Sequence, residues 1–342
     1  MKLIIQIPCF NERDHLEAAL AELPRSLPGI DEMEVLVIDD GSTDGTSEVA
    51  RRCGVHHVVR FSRNQGLATA YAAGLDAALR LGADFIVNTD ADNQYRAADI
   101  EKLLAPILRG EADIVIGDRQ TDTIAHFSPL KKWLQKAGSK VVRGVSGTRV
   151  ADATSGFRAV SRHAALRLFV HNRFSYTLET IIQAGQAGLA ISNVPVRTNP
   201  VARPSRLARS MGDYVRRNGP IILRAYAMYR PAQTFSYLAA ALLFLGGALG
   251  IRFLYFYFRN PQESGHVQSL MIGVGAVILA FITGLMALLG DLLAANRRLN
   301  EEMLARLRRL DAQLATLSNP HSPGRTEGID STGEPPWRPP HP

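Results

Sequence analysis

Two aspartates one residue apart, Asp90 and Asp92, stand in the run Asn88-Thr-Asp-Ala-Asp-Asn-Gln94. The apolar stretch Phe85–Thr89 leads into them, so a strand ending there would aim both carboxylates at one point. Hard oxygen ligands of this kind suit Mg2+ or Mn2+, ions that share their coordination shell with substrate phosphates. Alone, the pattern equally describes a solvated turn at a strand end. It has company. Asp39-Asp40-Gly-Ser42-Thr-Asp44-Gly-Thr46 sets acids, hydroxyls and glycines after a second apolar run. Asp44 or Ser42 is expected to cap the helix that follows. Asp39 and Asp40 need another account, because a tandem acid pair at a buried strand end is costly without donors. Ribose hydroxyls and base N–H groups would supply them. Upstream, Pro8-Cys-Phe-Asn11-Glu12 closes the first apolar run, with Asn11 read as an N-cap and Glu12 as a first-turn acid.

The elements that must position these acids follow from periodicity. Apolar runs at Leu3–Pro8, Val35–Asp39, Val55–Arg60, Phe85–Thr89 and Ile114–Gly117 alternate with helical patterns at Glu12–Leu23, Thr46–Arg52, Leu67–Leu81 and Ala97–Arg109. That alternation predicts an α/β fold of βαβ units with a mostly parallel, Rossmann-like sheet, in which ligands bind beyond the carboxyl ends of the strands. All three polar clusters fall at such ends. Small residues in Leu67–Leu81, among them Ala70, Ala73 and Gly74, would let that helix approach the sheet closely. Residues 118–196 are less regular. They hold a basic segment (Lys131, Lys132, Lys136, Lys140, Arg143) and a helix expected at Tyr176–Ala187.

The 342 residues carry a net charge of +7, with 46% hydrophobic residues. The basic balance suits nucleic acid, anionic lipid or phosphorylated substrates. Nucleic acid ranks low, since the arginines cluster beside apolar spans without aromatics to stack on bases. Cys9 and Cys53 are too few for a disulfide framework and read as buried free thiols, which fits a reducing compartment. The opening MKLIIQIPCFNE has too short an apolar run for a signal peptide.

Pro231–Ile251 and Leu270–Gly290 carry no charge, and each is long enough to cross a bilayer. The expected organisation is a catalytic domain over 1–200, juxtamembrane amphipathic helices over 201–230, transmembrane helices over 231–258 and 268–292, a coiled-coil-like helix over 293–317 and a disordered tail over 318–342. Glycines 246, 247, 250, 273, 275 and 284 are expected at close helix contacts. Arginine-rich flanks outside the pair, with a short linker between, place the catalytic domain and both termini in the cytoplasm, the protein being integral to the cell membrane. Leu293, Asn296, Asn300, Met303, Leu307, Leu310, Leu314 and Leu317 alternate at spacings of three and four, a coiled-coil seam that hints at self-association.

Taken together, IPCFNE, VIDDGSTDGT, RNQGLATAYAAGL and NTDADNQY resemble the family-2 glycosyltransferases of GT-A fold over about residues 3–200. The chain looks most similar to the polyprenyl-phosphate glycosyltransferases, the group that includes dolichyl-phosphate mannose synthase. Further matches are Ile116-Gly-Asp-Arg119, Asp152-Ala-Thr-Ser-Gly-Phe-Arg158, Phe174–Glu179 and Arg203-Pro-Ser-Arg206. The resemblance implies that Pro8, Asn11, Glu12, Asp39, Asp40 and Asp90 meet the nucleotide, and that Asp90, Asp92 and Gln94 hold Mg2+ or Mn2+. It places Arg119, Lys131, Arg203, Ser205 and Arg206 at the acceptor phosphate, with Asp92, Asp152 and Arg158 as the catalytic set. The bland reading of Arg158 is an ion pair with Asp152. The implied reaction is inverting transfer of a sugar from a nucleotide sugar, a UDP-sugar ahead of GDP-mannose, to a polyprenyl phosphate at the cytoplasmic membrane face. A homo-oligomer, with the tetramer of relatives as a guide, is the expected assembly. The competing readings are a processive polysaccharide synthase, which the absence of a Q-x-x-R-W motif disfavours, another family-2 enzyme acting on a glycan or glycolipid hydroxyl, and a non-catalytic nucleotide-sugar-binding scaffold.

Overall fold

Each apolar run of the first 120 residues becomes a strand, and most are buried on both faces. Leu3, Ile5 and Ile7 point to one side of the first strand and Ile4 to the other, all fully buried, as strands of a covered parallel sheet must be. The computed structural model describes residues 1–120, 150–170, 176–199, 231–259 and 267–318. Seven strands form one sheet: β1 (Lys2–Cys9), β2 (Glu32–Asp39), β3 (His57–Arg60), β4 (Phe85–Asn88), β5 (Ile114–Asp118), β6 (Arg158–Ser161) and β7 (Ile191–Pro195), in the order β3-β2-β1-β4-β6-β5-β7. β1 pairs in parallel with β2 and β4, β2 with β3, and β5 with β7. β6 runs antiparallel between β4 and β5. The α/β, mostly parallel expectation holds. β6 and β7 were not anticipated, because they lie in the stretch whose periodicity is weakest.

The helices of this unit are α1 (Arg13–Ala21), α2 (Thr46–Arg52), α3 (Leu67–Arg80), α4 (Ile100–Leu108), α5 (Arg162–Ala165) and α6 (Thr177–Gln186), with a 3-10 turn over Ala97–Asp99. α3 packs as its small residues predict. A β-carbon on Gly74 would lie 2.5 Å from Gln6 Oε1 and 2.9 Å from Ile38 Cδ1, so any larger residue would push the helix off β1 and β2. Cys9 is buried and its thiol pKa is pushed up by that burial, but Cys53 is exposed. The expectation of two buried thiols fails at Cys53 because it caps the solvent end of α2.

Residues 1–211 with 302–342 make one compact unit, and residues 212–301 make a second. The second contains α7 (Pro231–Arg259) and the first part of α8 (Val267–Ser318). Both helices have an apolar stretch long enough to cross a membrane. They touch closely at two of the predicted glycines: a β-carbon on Gly246 would fall 2.7 Å from Val277 Cγ2 and 2.8 Å from the Gly273 carbonyl oxygen. Gly247, Gly250, Gly275 and Gly284 face open space instead. The second span and the seam helix, expected as separate elements, form one 52-residue helix. No glycine or proline lies between Asp291 and Ser318 to break it. The juxtamembrane stretch 201–230 and nearly all of the tail lie outside the described residues.

Candidate active site

β1, β2 and β4 run parallel, so their carboxyl ends open on the same rim. The loops after β1 and β2 are sewn together. Asn11 N–H donates to Ser42 Oγ at 2.9 Å, Thr43 N–H to Asn11 Oδ1 at 3.0 Å, and Glu12 N–H to Thr46 Oγ1 at 3.0 Å. The capping expectations are corrected here. Asn11 sits in the left-handed region with φ 53°, where asparagine is tolerated, and Glu12 takes the N-cap position of α1 without a side-chain cap bond. Gly45 precedes α2 with φ 90°, so neither Ser42 nor Asp44 caps it. Asp44 instead accepts from Thr46 N–H and Arg13 N–H, each at 3.0 Å.

The tandem acids also differ from expectation, because the chain supplies its own donors. Asp39 is fully buried; its Oδ1 accepts from Ser42 N–H at 2.8 Å, its Oδ2 from the Ser47 hydroxyl, and Arg60 Nε lies 3.8 Å away. Asp40 accepts from Gln65 N–H at 2.6 Å and Gly66 N–H at 2.8 Å. Burial still lifts the Asp40 pKa, against those two bonds and with help from Asp39. The turn that brings these donors in needs Gly41 at φ 71°, where a β-carbon would lie 2.4 Å from the Arg63 carbonyl carbon. Pro8 lies buried on β1, opposite Ile38, and Glu12 is almost fully buried beside the same rim.

The loop after β4 is different. Asp92 Oδ1 accepts from Gln94 N–H at 3.1 Å, which fixes the turn, with Asn93 at φ 53°. Asp90 is pushed up to about 7, first by burial and then by the neighbouring Asp92, with Arg119 opposing and Glu12 adding to the rise. A half-buried carboxylate short of positive charge is what a divalent cation would relieve. Among the described residues no three His, Cys, Asp or Glu side chains gather into a closed cage. Two carboxylates are a sufficient protein contribution for Mg2+ or Mn2+, which complete their shells with water and phosphate oxygens. The donor set of Asp90, Asp92 and Gln94 therefore fits the implied ion. A segment not foreseen from the sequence braces this loop. Asn199 N–H donates to Gln94 O at 2.8 Å, Asn199 Nδ2 to Asn93 O at 3.0 Å, and Arg197 N–H to Asp99 Oδ2 at 2.7 Å.

On the far side of β4, Arg119 and Asp152 form a bidentate pair, Nε to Oδ2 at 2.7 Å and Nη2 to Oδ1 at 3.0 Å, with Nη2 also donating to Thr154 Oγ1 at 2.7 Å. Burial pushes the Asp152 carboxyl up, but the Arg119 fork and Thr154 outweigh it and hold the pKa below the usual range. The bland alternative for Arg158, an ion pair with Asp152, is therefore not formed either. Arg158 is 1% exposed and spends its donors inside the fold: Nε on Ser155 O at 2.8 Å, Nη1 on Thr177 O at 2.9 Å and Thr180 Oγ1 at 2.7 Å, Nη2 on Ala153 O at 3.0 Å. A side chain so enclosed does not reach a substrate, which corrects its place in the catalytic set. It clamps the 153–155 loop to α6.

Asn88 is the residue sequence reasoning missed. It accepts from Gln6 Nε2 at 2.9 Å and donates to Gly156 O at 2.8 Å and Tyr176 Oη at 3.0 Å. It thus ties the strand under Asp90 to the loop that carries Asp152. The signal was its place at the head of NTDAD, facing a sheet neighbour with a polar Gln6. Lys131, Arg203, Ser205 and Arg206 lie outside the described residues.

The comparisons with known proteins agree with this geometry. The model of glycosyl transferase family 2 matches residues 4–169. An uncharacterized protein of Methanocaldococcus jannaschii is 33% identical over 202 residues, covering 58% of this chain and 81% of its own length. The polyprenol monophosphomannose synthase of Mycolicibacterium smegmatis is 27% identical, covering 57% of this chain and 76% of that protein. The undecaprenyl-phosphate mannosyltransferase of Micrococcus luteus is 29% identical, covering 57% and 83%. Sheet, rim acids and relatives together define a glycosyltransferase of GT-A architecture. The chain belongs to glycosyl transferase family 2.

Proposed function

We propose that this enzyme transfers a sugar, with inversion, from a nucleoside-diphosphate sugar to a polyprenyl phosphate held in the membrane that α7 and α8 cross, with the catalytic unit on the cytoplasmic side. The observation that carries this reading is the Arg119–Asp152 pair. A carboxylate held low by a bidentate arginine is a poor general base, since it gives up little driving force for proton removal. A sugar hydroxyl acceptor needs such a base at its attack. A phosphate monoester arrives already ionised near neutral pH and does not. The names of the relatives from Mycolicibacterium smegmatis and Micrococcus luteus support the same acceptor class.

In this reading the β1–β2 rim, with Pro8, Asn11, Glu12 and Asp40, borders the nucleoside. Asp90, Asp92 and Gln94 would hold Mg2+ or Mn2+, which when bound neutralises charge on the departing diphosphate. Asp152 and Thr154 hold Arg119 through Nε and Nη2, which leaves Nη1 as the donor that would meet an acceptor phosphate oxygen. The bond broken joins the anomeric carbon to the diphosphate oxygen; the bond formed joins that carbon to the acceptor phosphate oxygen. No proton has to be removed from the acceptor.

The test uses purified full-length protein with Mg2+ or Mn2+, a panel of UDP-sugars and GDP-mannose, and two acceptors, undecaprenyl phosphate and undecaprenol. Glycolipid should form with the phosphate and at most traces with the alcohol. Equal or better transfer to the alcohol would sink the acceptor assignment.

A further inference from the structure

The cytoplasmic end of α8 has two faces with opposite fates. One is docked on the catalytic unit. Arg308 Nε meets Asp76 Oδ1 at 3.0 Å, its Nη1 donates to the Leu168 carbonyl oxygen at 2.5 Å, and its guanidinium carbon lies 4.3 Å from the Phe169 ring centroid. Arg80 Nε meets Asp311 Oδ2 at 2.8 Å, and Ala312 is buried. Residues 305, 308, 312 and 315 form this docked stripe. The other face is apolar and bare: Met303, Leu307, Leu310 and Leu314 are 55–65% exposed. With Leu307 and Leu314 as a, and Met303 and Leu310 as d, the docked stripe of 305, 308, 312 and 315 falls at b and f, nearly opposite the seam, and Asp311 lies at e between the two faces.

We propose that this seam pairs with the seam of a second copy of the same chain, as a parallel, in-register, two-stranded coiled coil. Three features select that occupant. The three-four spacing runs unbroken from Leu293 to Leu317, long enough for a coiled coil. Asn300 falls at a and Asn296 at d, both exposed; a buried asparagine at a is the device that fixes register and favours two strands. The flanking positions complement one another only in parallel register. Leu299 at g would face Leu304 at e of the other copy, and Arg306 at g would face Asp311 at e. Arg306 and Asp311 already hold Glu302 and Arg80 in this chain, with side chains 75% and 55% exposed and so open to a further partner. An antiparallel pair would set Arg306 against Arg306.

Lipid does not cover the seam from Met303 to Leu314. Leu307 lies seventeen residues beyond Gly290, the end of the charge-free stretch, or about 25 Å along a straight helix. That exclusion rests on the membrane-crossing reading above. The shared membrane orientation would also hold two copies parallel and raise their effective concentration, which a seam with two asparagine layers needs.

The test is cysteine cross-linking of the full chain in liposomes at low protein-to-lipid ratio, in a Cys53→Ser background. Single cysteines are placed at Leu307, Leu310 and Leu314 on the seam, and at Glu302 and Arg309 off it. Mild oxidation should give at least fivefold more linked dimer at the three seam positions than at the two controls. Equal linkage at Leu310→Cys and Arg309→Cys, or none at any seam position, would overturn the proposal. The doubly substituted Leu307→Asp, Leu314→Asp protein should show half the wild-type mass by light scattering in detergent; an unchanged mass would also overturn it. A carbonate wash of the same liposomes reports separately on the membrane reading. Protein released by the wash with the seam pattern intact refutes only the bilayer, and protein retained without the pattern refutes only the coiled coil.

Discussion

Two sets of carboxylates share one rim and are treated in opposite ways. The acids after β2 are answered from within: every oxygen of Asp39 and Asp40 accepts a bond from a backbone N–H or a serine of the same chain. Asp90, after β4, is half-buried beside Asp92, and its pKa is raised to about 7. A satisfied carboxylate holds a loop in shape, whereas a charge-starved one is held ready for something that arrives with the substrate. Exposure follows the same divide: Asp39 and Asp40 are buried, whereas Asp90 and Asp92 are half-buried at the rim.

The largest expected effect falls on the charge-starved side. Asp92→Ala should lower glycolipid formation by roughly two to three orders of magnitude, the scale seen when one electrostatic stabiliser of a transition state is removed. Unfolding by denaturant should be nearly unchanged. Full activity in that variant would erase the distinction between the two sets. The mirror experiment is Asp39→Ala, which should cost about 3 kcal/mol or more of stability, because it strips charge-assisted bonds from a buried turn and leaves donors unpaired. The midpoint of a urea transition measures it.

A finer probe sits between the two. Gly156 has no room for a side chain: a β-carbon there would lie 3.0 Å from Tyr176 Oη and 3.2 and 3.3 Å from the two Asp90 oxygens. Gly156→Ala should shift the Asp90 carboxylate by a few tenths of an ångström and reduce kcat about tenfold, with a smaller change in KM, since small misplacements at a reacting centre are costly. Stability should fall by about 1 kcal/mol, the lower range for overpacking. A loss of stability with unchanged kcat would show that Asp90 tolerates displacement and would weaken the contrast.

Much of this was legible in the sequence, and the reasons are physical. β1, β2, β4 and β5 are buried on both faces, so they appear as unbroken apolar runs, and parallel pairing sends their polar ends to one rim. β6 was not legible. Its four residues, Arg158–Ser161, have no period of their own and are strands only because β4 and β5 leave a gap for an antiparallel partner. The fate of Asp39 was equally hidden, because its donors depend on a turn that Gly41 permits. So was the choice of Asp152 for Arg119, 33 residues away, over Arg158 six residues away. The same holds for the bare and docked faces of α8: the three-four spacing is visible in the sequence, but that Arg308 turns its own face inward against Asp76 and Phe169 is a tertiary fact.

The smallest effect concerns an acid near the amino end of β2, away from the rim, that extends the answered class to solvent. Glu34 meets Lys2 Nζ at 3.0 Å and His57 Nε2 at 3.0 Å. Burial raises its pKa, but the bonds and charges of His57 and Lys2 win and pull it down to about 2. A carboxylate whose pKa is lower folded than unfolded adds stability above its unfolded value, near 4.5, and loses it as pH falls toward about 2. Glu34→Gln should therefore be less stable than wild type at pH 7, with the gap reduced at pH 3 and closing only as pH falls through about 2. Partial solvent screening keeps the gap to about 1 kcal/mol. Chemical denaturation at pH 7, 5 and 3 measures it, and a gap that stays constant across that range would mean Glu34 contributes by packing and not by charge. The asymmetry with Asp90 then becomes quantitative: an answered acid makes the fold weaker in acid, while an unanswered one would make it weaker toward neutral pH, until a cation supplies what the chain withholds.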